Sequence, residues 1–212
     1  MHKSFLNLPE EKRSAIEKSG IAEFSRKSYA DASTDEITRA SGISKGLLFH
    51  YFGSKVAFYL YCLTLALDRL TTITPGPDGD DFYGIIFASL DGKLRLAREY
   101  PNEMRLVNMA SREASGAVAE AKNTLFIKYH QATASASAKT MARAMACLPL
   151  KDPADQKATE ALSLYTGAII NRYMIEYRDK PDAFVLEADA IKAEVRRLIG
   201  YMLYGVAVEE RT

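Results

Sequence analysis

Residues 34–55 read TDEITRASGISKGLLFHYFGSK, with Ser33 immediately before them. Two short helical runs meet here at Ser41-Gly42-Ile43-Ser44. Ser33 opens an S-T-D-E capping box, in which its hydroxyl accepts from the Glu36 N–H and the Glu36 carboxylate reaches back. Gly42 admits the left-handed turn that ends the first run. Ser44 caps the second, KGLLFHYF, which is only about two turns long and marginal unless one face is packed. Phe49 and Phe52 are assigned to that inward face, leaving a polar, donor-bearing face of Ser44, Lys45, His50 and Tyr51. Two helices joined by a three- or four-residue turn containing Gly are a helix-turn-helix.

The flanks extend the same pattern. A helix is expected from near Pro9, whose fixed φ suits a first turn, with Glu10 and Glu11 beside the positive end of the dipole. Ile16, Gly20 and Phe24 give it one buried stripe. After Gly53-Ser54 a fourth helix is predicted over about 54–72. Its apolar residues surround it, so it has to be covered on several sides. TITPGPDGDD at 72–81 then breaks the chain with two prolines and two glycines. Beyond it, helical spacing predicts helices at about 80–99, after Pro101, at about 116–146, 154–178 and 186–207. The last carries Ile191, Val195, Leu198, Met202 and Val206 on one stripe, a candidate dimer interface. The fold class is therefore all-α, a helix-turn-helix domain followed by a helical bundle that dimerises.

Composition narrows the function. The 212 residues carry 28 Lys+Arg and 27 Asp+Glu, with 48% hydrophobic and 26% charged residues, an ordinary globular balance and neither a polycation nor an acidic disordered chain. Two cysteines, Cys62 and Cys147, cannot build a disulfide framework or a four-thiolate zinc site. Three scattered histidines and no Glu-x-x-His motif argue against a metal cofactor, a di-iron centre and an enzyme. The first residues turn charged before an apolar core of signal-peptide length develops, and Val56–Leu63 is too short to span a bilayer. A cytoplasmic protein without membrane or cofactor is expected.

The 34–55 stretch resembles the helix-turn-helix signature of the TetR family of bacterial transcriptional regulators. The resemblance implies an all-α homodimer with a DNA-binding domain at 1–55 and a ligand-binding and dimerisation domain at 56–212, connected by the fourth helix. It implies that Ser33 and Thr34 touch phosphate, and that Gly42 makes the turn with Ile43 as its buried plug. Ser44, Lys45, Gly46, Leu47 and Leu48 would be the exposed start of the reading helix. His50 and Tyr51 would flank the backbone, and Lys55 would meet a phosphate. Two departures stand out: Ser28-Tyr29 where the family usually has Gly before the aromatic, and Lys55-Val56-Ala57 without the usual acid. Residues 1–55 hold nine Lys/Arg and seven Asp/Glu, so affinity has to come from a dimer and from local charge placement.

The expected function is a ligand-responsive repressor on a pseudo-palindromic double-stranded operator; the alternative is a DNA-binding module controlled by a protein partner. Candidates for lining the pocket of an unknown small-molecule effector are Met104, Asn108, Phe126, Tyr129, His130, Tyr165 and Asn171. Asn171 lies in the apolar run AIINRYMIEY, where a polar group needs a partner.

Overall fold

The computed structural model describes residues 2–71, 79–149, 155–177 and 179–205. Most of the predicted break at 72–81, and Val206, lie outside the described residues. Every regular element among those described is helical: α1 (Lys3–Leu6), α2 (Glu10–Phe24), α3 (Thr34–Ser41), α4 (Lys45–Phe52), α5 (Lys55–Thr71), α6 (Phe82–Glu99), α7 (Pro101–Arg112), α8 (Ala119–Ala146), α9 (Gln156–Glu176), α10 (Pro181–Leu186) and α11 (Ala188–Tyr204). The short α1 and α10 were not expected from periodicity, which one or two turns are too short to reveal. The chain divides into two compact units, residues 1–72 with 100–133, and residues 73–99 with 134–212.

In the first unit the helix ends follow the predicted chemistry. Pro9 precedes α2 as its N-cap. Ser33 Oγ accepts from the Glu36 N–H at 3.3 Å, and Ser44 Oγ accepts from the Leu47 N–H at 3.2 Å. Gly42 takes φ 69°, in the left-handed region that favours glycine. Half of the capping box differs from expectation. Glu36 turns to Arg39 at 2.6 Å, and the Ser33 N–H donates instead to Glu23 Oε1 of α2 at 2.9 Å. A neighbouring helix thus satisfies the donor that the local motif would have used. Burial disfavours ionisation of Glu23, but the Ser33 N–H and the Lys27 ammonium at 2.9 Å outweigh it, so its carboxyl is held below its ordinary range.

The core of this unit is aromatic. Phe5 of α1 is fully buried and meets Phe52 edge-on at 4.8 Å and Tyr61 at 5.6 Å. Phe24 of α2 meets Phe58 and Tyr59 of α5. Gly20 is required where α2 crosses α5. A Cβ there would stand 2.5 Å from Phe58 Cζ and 2.7 Å from Cys62 Sγ. Along α5 the buried residues Phe58, Tyr59, Cys62, Leu63, Ala66 and Leu67 recur at i, i+1, i+4, i+5, i+8 and i+9 and form one broad face. Leu60 and Leu65 at its margins are half-buried, so the helix is less completely covered than its all-round apolar composition predicts. Full burial pushes the Cys62 thiol well above its ordinary value, which leaves it a packing residue.

In the second unit α11 packs on α9 and α6. Here the dimer-face expectation is corrected. Ile191 and Val195 are buried within the chain, together with Ile199, and Leu198 and Met202 are half-buried. The apolar stripe of α11 is the inner face of its own unit, and periodicity cannot distinguish a helix buried by its own chain from one buried by another copy.

Candidate nucleic-acid interface

Gly42 and Ser44 set α4 against α3. The Ile43 N–H closes onto Thr38 O at 3.1 Å, ending α3, and the Ser44 cap starts α4 two residues later. Ile43 itself is half-buried. Leu48, Tyr51 and Phe52 then form the inward stripe at i, i+3, i+4, and Phe49 is half-buried. This corrects two expectations. Leu48 is 1% exposed and Tyr51 6%, so Leu48 cannot face DNA and the Tyr51 ring supports the helix from behind, 5.5 Å from Phe5. The i, i+3, i+4 spacing starting at Leu48 was the available signal, obscured by assigning Phe49 and Phe52 as the inward pair.

The residues left outward are Ser44, Lys45, Gly46, Leu47 and His50, all exposed. They lie on the N-terminal turn and one side of a helix held rigid from below. Lys45 Nζ pairs with Asp35 Oδ2 of α3 at 3.0 Å, so its reach toward any anion begins by leaving that carboxylate. Space around Gly46 is open; a Cβ there would come no closer than 4.0 Å to Ser44 Oγ. Ser33 and Thr34 are half-buried at the start of α3.

Lys55 is more deeply engaged than the sequence suggested. Its Nζ donates to Ala30 O at 3.1 Å and lies 4.8 Å from the centre of the Tyr29 ring. Burial pushes this ammonium below the ordinary lysine value, with Asp31, Glu23 and Glu113 opposing the shift. The missing acid at the start of α5 is offset by Ser54, whose Oγ accepts from the Ala57 N–H at 3.1 Å. Ser28, the other departure, donates to Asp31 Oδ2 at 2.6 Å and shapes the turn before α3.

Two polar nodes, invisible in the sequence, fix this head to α5 and α7. Glu113, just after α7, accepts from the Tyr29 N–H at 2.8 Å, while Lys122 of α8, itself buried, donates to Glu113 O at 2.6 Å. Arg69 of α5 joins buried Glu103 of α7 at 2.6 Å and buried Glu17 of α2 at 3.5 Å, and Tyr61 donates to Glu17 at 2.6 Å. Apart from the Lys122–Glu113 link, which spans nine residues, the partners lie 34 to 84 residues apart in the chain, beyond any local pattern.

The pocket candidates are divided between the two units. Met104 and Asn108 are half-buried on α7, and Phe126 and Tyr129 half-buried on α8, beside exposed His130. The Phe126 and His130 rings are 6.0 Å apart. Burial raises the Tyr129 phenol above its ordinary value. Tyr165 and Asn171 belong to the other unit and are exposed on α9, because Thr166, Ile169 and Tyr173 take its buried face. Tyr165 Oη donates to Leu198 O at 3.3 Å. Among the described residues no group of His, Cys, Asp and Glu is arranged to hold a metal, and no helix is long and apolar enough to cross a membrane.

An all-α chain with a capped helix-turn-helix and a short, outward-facing second helix has the architecture of a DNA-binding regulator. Residues 16–62 match the model of the bacterial regulatory proteins of the tetR family. The fold is shared with a TetR-family transcriptional regulator from Chloroflexus aurantiacus at 23% identity, covering 96% of this chain and 97% of that one, TM-score 0.61. It is shared also with one from Streptomyces coelicolor at 20% identity, covering 96% and 85%, TM-score 0.62. NalD of Pseudomonas aeruginosa, the secondary repressor of the MexAB-OprM multidrug efflux pump, matches at 19% identity over 95% and 100%, TM-score 0.58. No curated protein sequence matches the chain. Residues 16–62 thus resemble the helix-turn-helix domain of the tetR family, and the chain shares its fold with solved regulators of that family.

Proposed function

We propose that this chain is a dimeric, ligand-responsive transcriptional repressor that acts in the cytoplasm on a pseudo-palindromic operator and has no enzymatic role. Residues 1–55 read DNA, and residues 56–212 bind the effector and dimerise, with α5 as the connection. The observation that carries the reading is α4: two turns long, capped by Ser44, buried through Leu48, Tyr51 and Phe52, with Lys45, Gly46 and Leu47 outward. A helix so mounted enters the major groove with its N-terminal residues on base edges. Leu47 is suited to a thymine methyl and Lys45 to a guanine edge or a phosphate. Ser33, Thr34, His50 and Lys55 serve phosphates, which set register.

The second copy docks on α9. Leu164, Ala168, Asn171 and Ile175 recur at i, i+4, i+7, i+11 opposite the buried face, all exposed, with Leu164 at 67% and Ile175 at 59%. Exposed Tyr201 and Tyr204 of α11 extend the apolar surface. A self-complementary seam of this spacing suits a two-fold pair, and Asn171 then meets a polar partner from the other copy, fixing its register. The two reading helices are thereby set about 34–36 Å apart.

Effector binding favours a dimer whose α5 helices have swung out of that spacing, with a coupling free energy of about 1–3 kcal/mol. The Glu113–Tyr29 and Arg69–Glu17–Glu103 links support this, since any shift of α5 or α7 strains the head. The test is selection of duplexes from a random pool, followed by ranking of single-base variants. Lys45→Ala and Leu47→Ala should each reorder the ranking, by about tenfold or more at the base they read. An unchanged ranking removes them as readers. A protein that selects no duplex even in dilute salt ends the reading.

A further inference from the structure

The reading helix has a companion that its motif does not contain. Phe5 anchors α1 in the aromatic core, and the His2 N–H donates to Tyr51 O at 2.7 Å. Residues 2–4 are thereby fixed to the last turn of α4. This brings the His2 ring to 4.7 Å from the His50 ring, centre to centre, and both residues are exposed. Neither histidine belongs to a carboxylate ion pair among the described residues.

We propose that His2 and His50 form a two-imidazole phosphate contact whose protonation tightens DNA binding as pH falls, making the segment before α2 a second DNA-contacting element. The proposal rests on the groove docking of α4 given above.

The chemistry of His2 suits it to both charge states. Its Nδ1 accepts from the Ser4 N–H at 3.2 Å and lies 2.7 Å from Ser4 Oγ. The neutral ring therefore carries its proton on Nε2. When Nδ1 is protonated the Ser4 N–H contact is lost, but Ser4 Oγ reverses from donor to acceptor and still holds the ring. Nε2–H remains a donor in either form.

The surrounding charges do not neutralise the pair. From α1 comes Lys3, exposed beside His2. From α2 comes Arg13, which donates to Leu6 O at 3.4 Å and lies 4.0 Å from Glu17. Glu17 is itself engaged by Tyr61 of α5 and Arg69. From α3, Asp35 is paired with Lys45 at the opposite end of α4. At the start of α5, Lys55 points to Ala30 O. Two imidazolium rings at this separation repel each other in the free protein, and a phosphate oxygen removes that cost. Protons are therefore bound more readily in the complex than in the free protein. Affinity therefore rises as pH falls.

The test uses the full chain and a duplex that the wild-type protein selects from a random pool at pH 8. Affinity is measured by fluorescence anisotropy at constant ionic strength, and the readout is the ratio of affinity at pH 6 to that at pH 8. The wild type should gain roughly tenfold or more, since each proton taken up adds at most a factor of ten per pH unit. His2→Gln and His50→Gln should each lose a large part of the gain, and the double variant nearly all of it. His50→Lys, with a fixed charge, should bind with a flattened profile. A flat wild-type profile, or one that survives intact in the double variant, overturns the proposal while leaving the groove docking in place. Failure to select any duplex at pH 8 overturns the docking itself.

Discussion

The DNA-reading head and α9 of the second unit are finished to different degrees. In the head, α3 and α4 are capped by their own serines, the apolar stripe of α4 is covered by Phe5 and α5, and the charges of Glu17, Glu23 and Glu113 are each met within the chain. On α9, Leu164 and Ile175 lie open, while Thr166 and Tyr173 bury hydroxyls on the opposite face. The Tyr173 phenol is pushed up to about 12, by burial first and by Glu194 after it. A single chain completes its helix-turn-helix head and leaves apolar surface open on α9. Contiguous exposed apolar surface of this kind marks an interaction face.

The contrast can be broken most forcefully at the seam. Leu164→Glu with Ile175→Glu should convert a dimer to a monomer in sedimentation and lower operator affinity on the order of 100-fold or more, since one half-site is engaged at a time. A persisting dimer would move the interface elsewhere. Ile191→Ala is the matched control. It should cost about 2–5 kcal/mol of stability as a buried truncation without changing the subunit count. Within the head, Gly20→Ala should cost about 1–3 kcal/mol by overpacking against Phe58 and Cys62, read as a lower denaturation midpoint. An unchanged midpoint would mean that α2 and α5 separate easily.

Smaller effects sharpen the picture of the head. Glu23→Gln should cost about 1–2 kcal/mol at neutral pH, as a charged hydrogen-bonding group is replaced by a neutral one. The folded carboxyl titrates below its ordinary value near 4.5. Its contribution is therefore complete above the unfolded value and lost as pH falls through the folded one. Wild type and variant should converge in acid melts as pH falls through the lowered folded value; a constant difference would assign the effect to packing. Glu113→Ala should cost about 1 kcal/mol and speed amide exchange at Tyr29. Exchange that stays slow would show that the Tyr29 N–H is protected by something other than this carboxylate.

How legible each part was follows from distance along the chain. Ser33, Gly42 and Ser44 act on backbone within three residues of themselves, so the helix-turn-helix could be read directly. The face of α4 was half legible. Phe52 and the exposed Lys45 were placed correctly, but Leu48 and Tyr51 were given to DNA because the spacing of a two-turn helix allows rival inward pairs. The dimer stripe was misassigned to Ile191 and Val195 because an amphipathic helix signals that one face is buried, not by which chain. Asn171 did signal an unusual position on α9, and the structure places it in the exposed row between Leu164 and Ile175.

Sequence alone settled the all-α class, the turn at Gly42 and the capped helix that follows it, because caps and periodicity are short-range preferences of backbone and side chain. Tertiary structure alone decided which side of α4 is free, that Glu23 rather than Glu36 serves Ser33, that Lys55 turns back onto Ala30, and that His2 lies against His50. Each of those outcomes is a competition for a donor or a buried face among groups far apart in the chain, and packing decides it.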